Sequence, residues 1–185
     1  MPSVYLAGKV GHTDWRHSLF PLRHVELRYQ APMDRVVLDQ EPLTRDGFEY
    51  AGPYFLSDDH GCFHGPTRHG LIDPGWADGV SVADENFPQH LERRTVLNSC
   101  LYWLSTAKAV FCWIDSETAY GTLVEIGYAA ALQKTIFVAF SGEIDVPELW
   151  FARQIADKTI CADSIEDAWS SFVRWWPTRH FTAVR

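Results

Sequence analysis

The sequence predicts a three-layer α/β domain built on a mainly parallel sheet. Three observations carry that expectation. Residues 109–114 and 135–140 are continuous runs that are apolar but for Thr135, the pattern of strands covered on both faces. Helical periodicity alternates with these runs, as in folds that lay helices against a parallel sheet. The 185 residues suffice for one domain with a substantial core, and no repeat, linker or shift in composition divides residues 1–185.

Taken in order, Ser3-Val4-Tyr5-Leu6-Ala7 reads as a short first strand running into Gly8. A polar loop follows through Gly11, His12 and Thr13, and Asp14 is placed to cap a helix beginning at Trp15. Residues 25–55 offer only short strand-like pieces broken by prolines, Val36-Val37-Leu38 and Phe48-Glu49-Tyr50. Residues 57–75 are rich in Gly, His, Asp and Pro without apolar periodicity, which predicts a long loop of the kind that carries function. Leu91, Val96, Leu97, Leu101 and Leu104 recur at helical spacing over 88–106. Beyond the strand at 109–114, a helix is expected over 122–133, a strand over 135–140 and a helix including 148–155. A short strand at 159–161 then precedes an amphipathic helix running from Ser164, with Asp167 in its first turn, to about Trp175.

Composition narrows the partners. A formal net charge of −8 disfavours a grip on nucleic-acid phosphates, so small molecules rather than polymeric DNA or RNA are the expected ligands. No apolar run approaches the ~20 residues that span a bilayer, and the start lacks a basic region followed by an apolar stretch. Cys62, Cys100, Cys112 and Cys161 form no CxxC pair, and Cys100 and Cys112 lie in apolar segments as small hydrophobes do. A reduced, cytoplasmic protein without a membrane span is the expectation. Trp15, Trp76 and Trp150 fall in expected loops, where indoles either stack on a flat ligand or pack.

The stretch Thr122-Leu123-Val124-Glu125-Ile126-Gly127-Tyr128-Ala129 carries the most chemistry. It follows the strand ending near Asp115 and a polar loop with Ser116, Thr118 and Gly121. A carboxylate in the first turn of a helix is favoured in its ionised form by the helix dipole. Beyond the carboxyl end of a sheet strand it also lies where open α/β folds bind ligands. Two roles fit Glu125: a covalent nucleophile, or the second half of a Thr122-x-x-Glu125 capping box.

Two separated matches resemble the nucleoside 2-deoxyribosyltransferase family and its nucleotide N-glycosidase relatives: Tyr5-Leu6-Ala7-Gly8 with Trp15-Arg16 just after it, and Gly121-Thr122-Leu123-Val124-Glu125-Ile126-Gly127-Tyr128-Ala129. The resemblance implies a flavodoxin-like or Rossmann-like fold of about five strands, assembled into homo-oligomers. It implies that Glu125 attacks the anomeric carbon of a deoxynucleoside, releasing the base and leaving a glycosyl ester. A second base accepts the sugar in transfer, and water accepts it in hydrolysis. Tyr5 matches the tyrosine that holds the nucleophile, although a strand tyrosine is equally at home in a core. Gly8 would admit the ligand close to the backbone, or simply end the strand. Substrate-binding expectations extend to Trp15, Gly121 and Thr122 and to Asp58, Asp59, His60 and His64 of the long loop. No cofactor is implied.

The chain departs from the family pattern in its acids. Cys100, flanked by Asn98 and Ser99, stands where the family places an aspartate, and Ala119 stands where a second acid is common. Asp115 is the expected substitute, with Glu117 next to consider; a loop acid shaping a turn is the alternative for Asp115. The missing acids leave room for a nucleoside 5'-phosphate or NAD-type N-glycoside hydrolase, with Ser116, Thr118 or Thr122 near a phosphate. They also leave room for a silent nucleotide-binding sensor. His60, Cys62, His64 and His69 raise zinc, but their spacing matches no common ligand pattern, and no metal is expected.

Overall fold

The computed structural model of the protein describes residues 1–9, 14–20, 27–30, 35–38, 42–53, 63–64, 67–68, 93–142, 144 and 147–177. Its main sheet has six strands: β1 (Ser3–Gly8), β4 (Thr44–Arg45), β5 (Phe48–Tyr50), β8 (Ala109–Ile114), β9 (Thr135–Ser141) and β10 (Lys158–Ala162). Their spatial order is β10-β9-β8-β1-β5-β4. Every pair is parallel except β4 with β5, so the fold is α/β on a mostly parallel sheet. Five helices accompany it among the described residues: α1 (Arg16–Leu19), α2 (Arg93–Thr106), α3 (Tyr120–Ala131), α4 (Trp150–Ile155) and α5 (Ile165–Trp175). A 3-10 turn, Pro147–Leu149, leads into α4.

Side-chain alternation along the central strands sorts the core. Tyr5, Ala7, Val110, Cys112, Val138 and Phe140 join one cluster with residues of α2, α3 and α4. Val4, Leu6, Phe111, Trp113, Phe137 and Ala139 join the other, with Leu19, Phe20, Trp169 and Phe172. A strand whose two faces are both buried must be apolar throughout, which is why Ala109–Ile114 alternates with nothing polar. Helix α5 turns Ala168, Trp169 and Phe172 inward. Ser164 caps it by accepting the amide of Asp167 at 3.1 Å, as the sequence predicts.

The departures from expectation are local. The sixth strand, β4, comes from a tight Asp46-Gly47 hairpin with both turn residues at positive φ, 49° and 83°. Val36-Val37-Leu38 does form a strand, β3 (Arg35–Leu38), but it pairs with β2 (Leu27–Gln30) in a separate two-stranded sheet. The region 57–75 is not loop throughout, since β6 (Phe63–His64) and β7 (Thr67–Arg68) pair antiparallel within it. Helix α3 starts two residues earlier than its apolar pattern suggests, at Tyr120 rather than Thr122. No described helix is long and apolar enough to cross a membrane.

Candidate active site

Parallel pairing brings the carboxyl ends of β1 and β8 to one edge of the sheet, with Gly8 beside Trp113. The chain order of the five parallel strands reverses between these two neighbours, because β1 leads outward to β5 on one side and β8 to β9 on the other. Crevices at such a reversal are where open α/β sheets bind ligands. Lys9 leaves β1 here and meets the loop after β8: its Nζ donates to Thr118 Oγ1 at 2.8 Å and to Ser116 Oγ at 3.3 Å. The two hydroxyls lie 3.0 Å apart.

Helix α3 then carries Glu125 back over β1, where the Tyr5 hydroxyl donates a short hydrogen bond to its carboxylate. The capping alternative for Glu125 is overturned. Glu125 is the sixth residue of α3, the N-cap is Ala119, and no side chain caps the helix. The expectation of a readily ionised carboxylate falls with it. Burial raises the Glu125 pKa from an ordinary 4.5 to about 7, against the opposing pull of the Tyr5 hydrogen bond and the Arg16 charge. The same burial, with the neighbouring carboxylate, holds the Tyr5 phenol well above its ordinary value, so it remains a donor.

Two further groups belong to this neighbourhood. Cys100 of α2 packs against the same core face, and burial together with Glu125 pushes its thiol up to about 12. Cys100 stands in an acid's place in the family pattern, and a thiol this weakly acidic does not give up its proton near neutral pH. Arg16 is buried with Asp14 as a salt bridge at 2.7 Å. The role of Arg16 is not legible in the sequence, where a buried arginine looks like any helical arginine. Lys9 was missed as well; its signal is a lone cation directly after a strand end.

The other expected site residues divide. Asp115 is exposed at the end of β8, and lost solvation raises its pKa while Arg16 and Lys9 pull it down. It lies within reach of the Lys9 charge. Gly8 lies close under the Trp15 indole: a Cβ there would come within 2.7 Å of the ring and 2.9 Å of the Trp113 carbonyl. Its want of a side chain therefore serves packing. Trp15 itself packs edge-on against Phe111 in the cluster opposite Glu125. Thr122 is buried in α3, and Gly121 is exposed with open space around it. Asp58, Asp59 and His60 lie outside the described residues, and of His64 only the backbone in β6 is described.

No protein-family model, curated protein or solved structure matches the chain. Function must be argued from the site. Among the described residues, no group of three or more His, Cys, Asp or Glu is arranged to hold a metal ion. His60, Cys62 and His69 lie outside those residues.

Proposed function

We propose that this protein performs N-glycosyl transfer or hydrolysis on a (deoxy)nucleoside or nucleotide through a covalent glycosyl–Glu125 intermediate, chiefly 2-deoxyribosyl transfer between nucleobases. The observation that carries the reading is the hydrogen bond that Tyr5, three residues before the carboxyl end of β1, donates to Glu125. A carboxylate held by Tyr5 and still partly exposed has the fixed orientation a nucleophile needs. The strand order and the two core clusters further support a flavodoxin-like, three-layer architecture of one domain. A homo-oligomer in the cytoplasm is part of the same proposal.

In the first step a carboxylate oxygen of Glu125 bonds to the anomeric carbon as the C–N bond breaks, and the base leaves with the bonding electrons. The resulting ester is then opened by the nitrogen of a second base or by water, which loses its proton. Tyr5 donates to the carboxylate before attack and orients it. Ionised Glu125 is the reactive form, so base release rises with pH until about 7.

A second reading, a nucleoside 5'-phosphate substrate, is favoured by Lys9, Ser116 and Thr118 gathered before the start of α3. One panel tests both. Wild type and Glu125→Ala are incubated with deoxynucleosides, nucleotides and NAD, with and without a free acceptor base. Base exchange abolished in the folded variant supports transfer, and base release without exchange supports hydrolysis. Turnover confined to 5'-phosphates selects the second reading. Equal activity in both proteins would sink Glu125 as nucleophile, and ligand binding without turnover would leave a sensor.

A further inference from the structure

We infer that Arg16 is a positioning residue of the Glu125 site: its buried guanidinium clamps the open carboxyl end of β1, the strand that presents Tyr5, and supplies a fixed positive charge to the site. The clamp follows from the sheet. Strand β5 pairs with β1 only through Ser3 and Val4, with one further bond each from Ala51 to the Val4 carbonyl and from Leu6 to the Gly52 carbonyl. Past that point Arg16 takes over the carbonyls, donating from Nε to Leu6 at 2.9 Å and from Nη2 to Gly8 at 2.6 Å. Two carbonyls spaced two residues apart match the rigid fork of a guanidinium, and an ammonium cannot span them in that way.

The remaining terminal nitrogen, Nη1, bonds both carboxylate oxygens of Asp14, at 2.7 and 3.0 Å. Asp14 also accepts the Arg16 amide at 3.0 Å, which fixes the start of α1. Both side chains are all but inaccessible, at 1% for Arg16 and 0% for Asp14. The enclosed pair is screened little by salt or water, and Asp14 offsets part of the guanidinium charge, so the site feels the field of an oriented ion pair. The guanidinium favours the anion of Glu125, and it opposes burial at Tyr5, Cys100, Cys112 and Asp115.

The groups that surround Glu125 electrostatically are Tyr5 from β1, Cys100 from α2, Cys112 from β8 and Arg16 from α1. The phenol and both thiols are held neutral by burial. Arg16 is the cation among them, and the Asp14 carboxylate, bonded to it at 2.7 Å, is its counter-charge.

The inference deepens the proposed reaction and rests on Glu125 as its reacting group. Its test does not depend on turnover. Carbon-13 NMR follows the Glu125 carboxyl through a pH titration of the full chain, beside the pH profile of base release. Asp14→Asn keeps the Arg16 charge; Asp14→Asn with Arg16→Gln removes both charges without stranding either; Arg16→Lys keeps the charge and loses the fork. We expect Glu125 to titrate at or below its wild-type pH in Asp14→Asn, and roughly one unit above it in the double variant. In Arg16→Lys the titration stays near wild type, while kcat for base release falls about tenfold or more through lost alignment.

A folded double variant that titrates like wild type would overturn the charge role, as would an equal rise in Asp14→Asn alone. Wild-type kcat in Arg16→Lys would overturn the clamp, and this arm remains decisive should the double variant not fold. If the wild type releases no base from any substrate, the N-glycoside reading fails while the titrations still decide whether Arg16 governs Glu125.

Discussion

Glu125 keeps its proton up to about pH 7, and that single property links stability to reactivity. Its folded pKa lies above the ordinary 4.5, so the folded state binds this proton more tightly than the unfolded chain does. The resulting stability is fully present below about pH 4.5 and is lost as pH rises through about 7. Glu125→Gln removes the titration. Thermal denaturation across pH 4–8 should show the variant gaining on wild type by about 2 kcal/mol over that window, discounted for the partial exposure of the side chain. A constant difference at all pH values would mean that the carboxyl titrates normally. Tyr5 supplies the counterweight, since its hydrogen bond lowers the pKa that burial raises.

At the scale of elements, local signals differ in how far they can be read. The Ser164-Ile165-Glu166-Asp167 start of α5 is a cap by composition and a cap in the fold. Ser164→Ala should cost about 1 kcal/mol, read as a lower midpoint in urea with the slope unchanged. Asp46-Gly47 between Thr44-Arg45 and Phe48-Glu49-Tyr50 is an equally local hairpin signal, legible in the sequence yet not drawn from it. Its consequence is tertiary: the Asp46 carboxylate accepts the Trp169 indole N–H at 2.8 Å, tying the hairpin to α5. The Thr122-x-x-Glu125 spacing misleads in the opposite direction. A capping box requires Thr122 as N-cap, and α3 starts before it.

At the scale of the molecule, strands β1, β8 and β9 feed both core clusters, so the two clusters share one scaffold. Damage on either face should therefore weaken the same cooperative unit. Ile126→Ala, beneath α3, should cost about 2–5 kcal/mol and Phe172→Ala, beneath α5, about 3–5 kcal/mol. Because Ile126 and Phe172 belong to different core clusters, the double variant should show their sum within about 0.5 kcal/mol in one urea transition. Two separate transitions would show that the faces unfold independently.

What the sequence determined alone was set by local periodicity. Apolar runs gave β8 and β9, helical spacing gave α2 and α5, and a strand running into glycine gave β1. Glu125 and Tyr5 were also legible, as motif residues 120 positions apart. Their meeting was not, because contact between distant segments depends on which strands lie side by side, and β1 pairs with β8 across more than a hundred residues. Tertiary structure alone decided the chemistry of the site. It buried Arg16 with Asp14, closed Trp15 over Gly8, and set Cys100 beside Tyr5. It also turned an apparently ionised helix-start carboxylate into a buried acid titrating near 7. The physical reason is that a pKa reports desolvation and neighbouring charge, which three-dimensional packing assigns and no stretch of sequence contains.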